Sequence, residues 1–211
     1  MSVGPSNAEE ARLLDNAISS RSGNTQLALF NVPSTVAITA LSQSGRVVTV
    51  TASGHSLAVD DIVQIAGMTP SGYNGHYRVA SVSGTQFTVN APSGIGAATV
   101  LGTAGKWAEL SGTGYAKVSL AAADWNAATG GAPTTKTGPK TGTTWTFPQA
   151  GSNWADSSHP VVGWRLWDSA NSVYYWAGVL TSPTVVNNLD TVYFDSSNQI
   201  TMQGGDPDDP F

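Results

Sequence analysis

Apolar positions recur along this chain at two different periods. Close to the N-terminus, Ala11, Leu14, Ala17 and Ile18 fall on one face of a helix. Ser6 with Glu9 three residues later has the form of a capping box, and Glu9 and Glu10 stand where the helix dipole favours negative charge. A helix is expected from Asn7 to Ser20, stopped by Ser22-Gly23-Asn24, with a stripe narrow enough to dock on a sheet edge. The period then shortens to two, and Thr25 to Val32 reads as a strand with Leu27 and Leu29 on one face. From Ser34 onward, short alternating runs follow at Ile38 to Leu41, Arg46 to Ala52, Ile62 to Ala66, His76 to Val82, Gln86 to Asn90 and Ala97 to Leu101. Turn residues such as Ser44-Gly45 and Ser83-Gly84 separate them, which predicts a small six-stranded β-barrel or sandwich.

Strand-like runs resume at Gly114 to Leu120, Thr143 to Phe147, Val161 to Trp167, Val173 to Val179, Thr191 to Phe194 and Gln199 to Met202. Between the first two, Asn126 to Gly142 is rich in Gly, Pro and Thr and is expected to be a loop outside the core. All seven Trp lie from Trp107 to Trp176, so the composition changes near Gly102 to Gly105 and marks a module boundary there. The segment 204–211 carries two Gly, two Pro and three Asp and is expected to be a flexible acidic tail, with Phe211 free to dock on a neighbouring subunit.

Composition sharpens this picture. Only 11% of residues are charged, while 23 are Gly and 11 Pro, a balance that favours strands and turns over helices. A net charge of -5 with nine scattered Lys and Arg argues against nucleic acid as a partner. The absence of Cys removes disulfides, thiolate nucleophiles and Cys-ligated zinc. No apolar run reaches the roughly 20 residues of a membrane span, and Met1-Ser2-Val3-Gly4-Pro5 lacks the pattern of a signal peptide, so synthesis in a cytoplasm and no membrane partner are expected.

Candidate chemistry is sparse. The natural bases are His55, His76 and His159, and no nucleophile elbow, zinc helix or phosphate loop accompanies them. Asp60 and Asp61 are neighbours that point to opposite faces, while Asp168 and Asp190 stand at turns. Asp206, Asp208 and Asp209 lack the spacing of a calcium loop. The expectation is a protein without catalytic residues, cofactor or metal. Tryptophan is the informative excess. Trp164 and Trp167 lie three apart in one strand and face opposite sides, one inward and one outward or toward a neighbouring subunit. Trp145, Trp154, Trp164 and Trp176 are expected to fill a core and a subunit interface; Trp164, Trp167, Tyr174, Trp176 and Phe211 are the candidates for interface contacts or for stacking on a sugar ring.

Two sets of motifs resemble bacteriophage proteins. His55-Ser56-Leu57, Asp60-Asp61-Ile62-Val63-Gln64-Ile65, Tyr73-Asn74-Gly75-His76-Tyr77-Arg78-Val79 and Thr85-Gln86-Phe87-Thr88-Val89 resemble a small β-module of phage tail and adhesion proteins, with Asp60 where that module carries Gly. Leu13-Leu14-Asp15, Leu27-Ala28-Leu29-Phe30, Leu110-Ser111-Gly112-Thr113-Gly114-Tyr115-Ala116, Phe147-Pro148, Trp154, Trp167-Asp168, Gly178-Val179-Leu180 and Leu189-Asp190-Thr191 resemble, in order, the phage structural family labelled tail fibre protein. The resemblance implies a mainly β fold with a discontinuous β-sandwich of residues 1–35 and 104–203, one N-terminal helix, and the small module 36–103 inserted. It further implies a non-enzymatic structural subunit of a virion, tail-fibre-like or decorating the capsid, that forms a homo-oligomer and meets other virion proteins. An adhesin that recognises host surface glycan through exposed aromatics is the alternative.

Overall fold

Helix α1 (Asn7–Ser19) ends one residue before the expected stop, and Leu14 and Ile18 of its apolar stripe are buried. The computed structural model describes residues 7–130 and 135–203, so the Ser6 end of the capping box and the tail with Phe211 lie outside the described residues. The protein is mainly β, as its alternating pattern predicts. It divides into two units, one built from residues 7–30 and 109–203 and the other from 31–108. The divisions fall about five residues outside the boundaries expected at 35/36 and 103/104.

In the first unit, β1 (Thr25–Asn31) lies between β10 (Val118–Ser119) and β13 (Val161–Asp168), and β13 pairs antiparallel with β14 (Val173–Thr184). A further short strand, β9 (Ala108–Glu109), also pairs with β1. Two small sheets complete the unit, β12 (Trp145–Thr146) with β15 (Tyr193–Phe194), and β11 (Thr135–Gly138) with β16 (Ile200–Gln203). Leu27 and Leu29 share the core face with Trp125, Trp145, Trp154, Trp164 and Leu166, and α1 packs onto the same core through Leu14 and Ile18.

Strand β11 overturns the expectation of a loop outside the core from Asn126 to Gly142. Lys136 is buried there, and a Cβ on Gly138 would stand 2.5 Å from the Trp145 ring and 2.9 Å from Trp125. The glycine that read as a loop marker is the space into which two indoles, 4.9 Å apart, are packed.

The second unit is one antiparallel sheet of seven strands, not six, in the order β2 (Val36–Ala37), β8 (Thr103–Lys106), β5 (Ile62–Ala66), β6 (Gly75–Ser83), β7 (Gln86–Asn90), β4 (Val47–Thr51), β3 (Ala40–Ser44). Alternate residues Val48, Val50, Tyr77, Val79, Phe87 and Val89 form its core. The run from Ala97 to Leu101 is not a strand and makes only a bridge from Val100 to Thr69; β8, a Gly-containing Thr-Ala-Gly-Lys with no clear alternation, takes the place beside β5 instead. Asp60 adopts a φ of +70°, a left-handed conformation that Asp tolerates better than most residues. No helix among the described residues is long and apolar enough to cross a membrane.

Candidate functional site

Strands β13 and β14 carry four of the five aromatic candidates and separate them by face. Trp164 is 3% exposed and belongs to the core of the first unit, directly opposite Gly178 of β14. Trp176 is half-buried against the same core. A register shift between Leu166 and Trp167 lets β14 bulge by one residue, so that Trp167 pairs with Tyr174. Trp167 and Tyr174 are half-buried, with ring centroids 4.7 Å apart, on the side of the sheet where Arg165 also stands two residues before Trp167.

A set of charges surrounds these two rings. The Tyr174 hydroxyl donates to Glu109 Oε2, and Lys117 Nζ lies 2.8 Å from Glu109 Oε1. Lys117 is also 5.2 Å from the Trp167 ring centre, while the Arg165 guanidinium stands 4.5 Å from that of Tyr174. Phe30 meets Tyr174 edge-on at 5.3 Å. Burial, reinforced by the Glu109 carboxylate, pushes the Tyr174 phenol well above its ordinary range, so its proton stays in place. The neighbouring Tyr115 hydroxyl accepts from the Leu29 N–H at 3.0 Å, and burial raises its pKa as well. The result is an aromatic platform in which Glu109 is paired with Lys117 and Tyr174, and Arg165 lies over the Tyr174 ring. Sequence reading found Trp167 and Tyr174 but missed Arg165, Glu109 and Lys117; only Arg165 carried a signal, its two-residue spacing from Trp167.

At the turn end of the same hairpin, next to Trp167 in the strand, Asp168 is buried and held as a turn anchor. It accepts from the Asn171 side chain at 2.8 Å and the Ala170 N–H at 3.0 Å, and it lies 3.2 Å from Arg21 Nε, whose guanidinium covers the Tyr175 ring at 4.5 Å. The hydrogen bonds from Asn171 and Ala170, with the Arg21 charge, hold its carboxyl below the usual carboxylate range against the cost of burial.

The histidines do not converge. His55 Nδ1 accepts from the Leu57 N–H at 3.3 Å, with its ring against Phe87, and His159 lies 3.4 Å from Asp156, which accepts two backbone N–H groups of its own turn. Asp61 accepts from the Ala58 N–H and pairs with Lys106 at 2.6 Å, whereas Asp60 turns toward Arg78 at 3.8 Å. Among the described residues no three His, Asp or Glu side chains are grouped as a metal would need.

His76 belongs to the second unit together with Trp107, although the Trp distribution had placed every tryptophan outside the module. The Trp107 indole N–H donates to His76 Nδ1 at 2.9 Å, and burial pushes the imidazole down to about 4. An unfolded chain protonates this histidine near pH 6.5, whereas the folded one resists until about pH 4. The stability it supports is therefore complete above pH 6.5, falls as pH is lowered through that window, and is level below it. The imidazole is only partly buried, so the expected loss is about 2 kcal/mol rather than the roughly 3 kcal/mol of a fully shielded group. His76→Gln keeps an acceptor for the indole and removes the titration, so the stability difference between variant and wild type, followed through the Trp107 indole N–H resonance, should be constant above pH 7 and shift in favour of the variant toward pH 4.

No family model matches the chain, and no curated protein or solved structure matches it either.

Proposed function

We propose that this chain is a non-enzymatic structural subunit of a bacteriophage virion, tail-fibre-like or decorating the capsid, which associates with copies of itself or with other virion proteins. The observation that carries its role in assembly is the platform of Trp167 and Tyr174. An interface anchor must lose its water without stranding a charge, and here Glu109 is already paired with Lys117 and Tyr174 while Arg165 lies over a ring. Covering such a surface removes aromatic area from water while Glu109 and Lys117 keep each other as partners. The same geometry favours a protein partner over a glycan, because a sugar stacks on a free ring face and Lys117 and Arg165 each occupy one. The virion setting is supported by the ordered motifs that resemble the phage families.

The reading is tested by locating the labelled subunit in purified particles by low-resolution reconstruction, and by light scattering over a wide concentration range. Multi-copy density and an association weakened about tenfold or more by Trp167→Ala, in keeping with the usual cost of truncating an aromatic anchor, are expected. Absence from particles, or a strictly monomeric protein unaffected by the substitution, would overturn it.

A further inference from the structure

We propose that β3 is the edge at which a second copy of this chain extends the seven-stranded sheet, the two β3 strands pairing antiparallel about Ser42. The inference concerns the second unit alone and does not depend on the Trp167 platform. Strand β3 closes one end of the sheet and pairs with β4 through five consecutive residues, Ala40 with Thr51 to Ser44 with Val47, without a shift in register. In such a ladder, alternate residues of the outer strand direct their N–H and C=O groups away from the sheet. Natural edges are usually guarded by charge, proline, a bulge or brevity. The sequence Ala-Leu-Ser-Gln-Ser has no charge and no proline, and its pairing has no bulge. The other ends of the two larger sheets are protected: β2 and β10 are two residues long, and β14 carries Pro183 and two shifts of register.

An open groove of about 520 Å³ is lined by β3 residues Leu41, Ser42 and Gln43 and by the segment containing Gly94 and Gly96. The Tyr73 hydroxyl, 2.6 Å from the Gly96 carbonyl and 3.2 Å from Gln43 Oε1, ties its two sides together. No charged residue lines it, and two glycines leave main chain on one side. A surface that offers backbone, amide and hydroxyl groups selects an uncharged polypeptide strand over an ion or a charged small molecule.

A second β3 meets that description. Pairing about Ser42 sets Ala40 against Ser44, Leu41 against Gln43 and Ser42 against its own copy, so a chain of net charge -5 encounters itself here without opposing like charges. Ala40, Ser42 and Ser44 are exposed, which leaves them free to line up on one face. A five-residue ladder buries well under the roughly 1,000 Å² of an independent stable interface. The pairing is therefore weak between free subunits and strengthens where many copies are held side by side.

The chain has no cysteine, so each single substitution introduces the one thiol present. With circular dichroism confirming the native fold, Ser42→Cys should form a disulfide dimer about tenfold faster than the exposed control Ser157→Cys, since pairing raises the effective concentration of the thiols. A mixture of Ala40→Cys and Ser44→Cys subunits should cross-link to each other in preference to themselves, and Ser42→Lys added to both should suppress this. If Ser42→Cys reacts no faster than the control, or the mixed pair shows no preference, copies do not pair here and the proposal is overturned; the edge would then be open to a strand of a different protein. Neither outcome bears on the Trp167→Ala experiment, so the two readings fail separately.

Discussion

Asp15→Ala is expected to destabilise the first unit by about 3 kcal/mol, the cost of leaving a buried charge without its partner. Lys136 sits in β11 with its side chain 6% exposed, and its Nζ is 2.6 Å from Asp15 Oδ1 and 2.8 Å from the Asn126 carbonyl. Asp15 in turn accepts from the Ala128 N–H at 3.1 Å. Partial burial pushes the Asp15 carboxyl up, but the hydrogen bonds from Lys136 and Ala128 and the ammonium charge outweigh it and hold the pKa below the ordinary value. The contribution is therefore present above the usual carboxylate range and is lost as pH falls through the lowered pKa. Because Asp15 is 47% exposed, water relieves its own side of the loss, while Lys136 is left almost enclosed. The asymmetry is the test: Lys136→Met, which removes the buried charge and keeps the apolar stem, should cost about 1 kcal/mol or less. Urea unfolding followed by Trp fluorescence measures both, and equal costs for the two substitutions would mean that the pair acts merely as a surface contact.

That ion pair also shows how far the sequence could be read. Leu13-Leu14-Asp15 stood out as a motif, and Leu14 was placed correctly on the apolar stripe, because helical spacing reports burial directly. The role of Asp15 was hidden: its partner lies 121 residues away in a segment whose Gly, Pro and Thr content resembles a loop. Composition reports what a segment can do alone, whereas β11 is a strand because β16 pairs with it and because Trp125 and Trp145 pack over Gly138. The platform was half legible for the same reason. Alternation along β13 separates Trp164 from Trp167, but Glu109 and Lys117 reach the rings from outside β13 and β14 and leave no periodic trace. In the module, strong alternation located β4, β5, β6 and β7, and the short glycine-bearing β8 escaped because it is held by its neighbours rather than by its own pattern.

Gly178→Ala is expected to cost about 3 kcal/mol, at the upper end for overpacking a buried site, although it adds a single methyl group. Trp164 and Gly178 face each other across the β13–β14 ladder, and a Cβ on Gly178 would lie 2.4 Å from Trp164 Cζ2 and 2.6 Å from Cε2. Neither approach can be tolerated, so the indole must leave a position in which it is 3% exposed and packed in the core with Leu29 and Leu166. The glycine is there for the indole: one strand gives up a side chain so that its neighbour can lay a large ring across the backbone. Substituting the ring itself should be at least as costly, with Trp164→Ala losing about 3 to 5 kcal/mol by opening a cavity. If the two residues act as one unit, their costs are not additive, and the double variant Gly178→Ala with Trp164→Leu should recover at least about 1 kcal/mol relative to the sum of the single changes. Additive losses in that cycle would show that the indole relaxes elsewhere without strain. A Gly178→Ala protein as stable as the wild type would show that β13 and β14 can separate enough to admit the methyl group, and the ladder carrying Trp167 and Tyr174 would then be softer than its hydrogen bonding indicates.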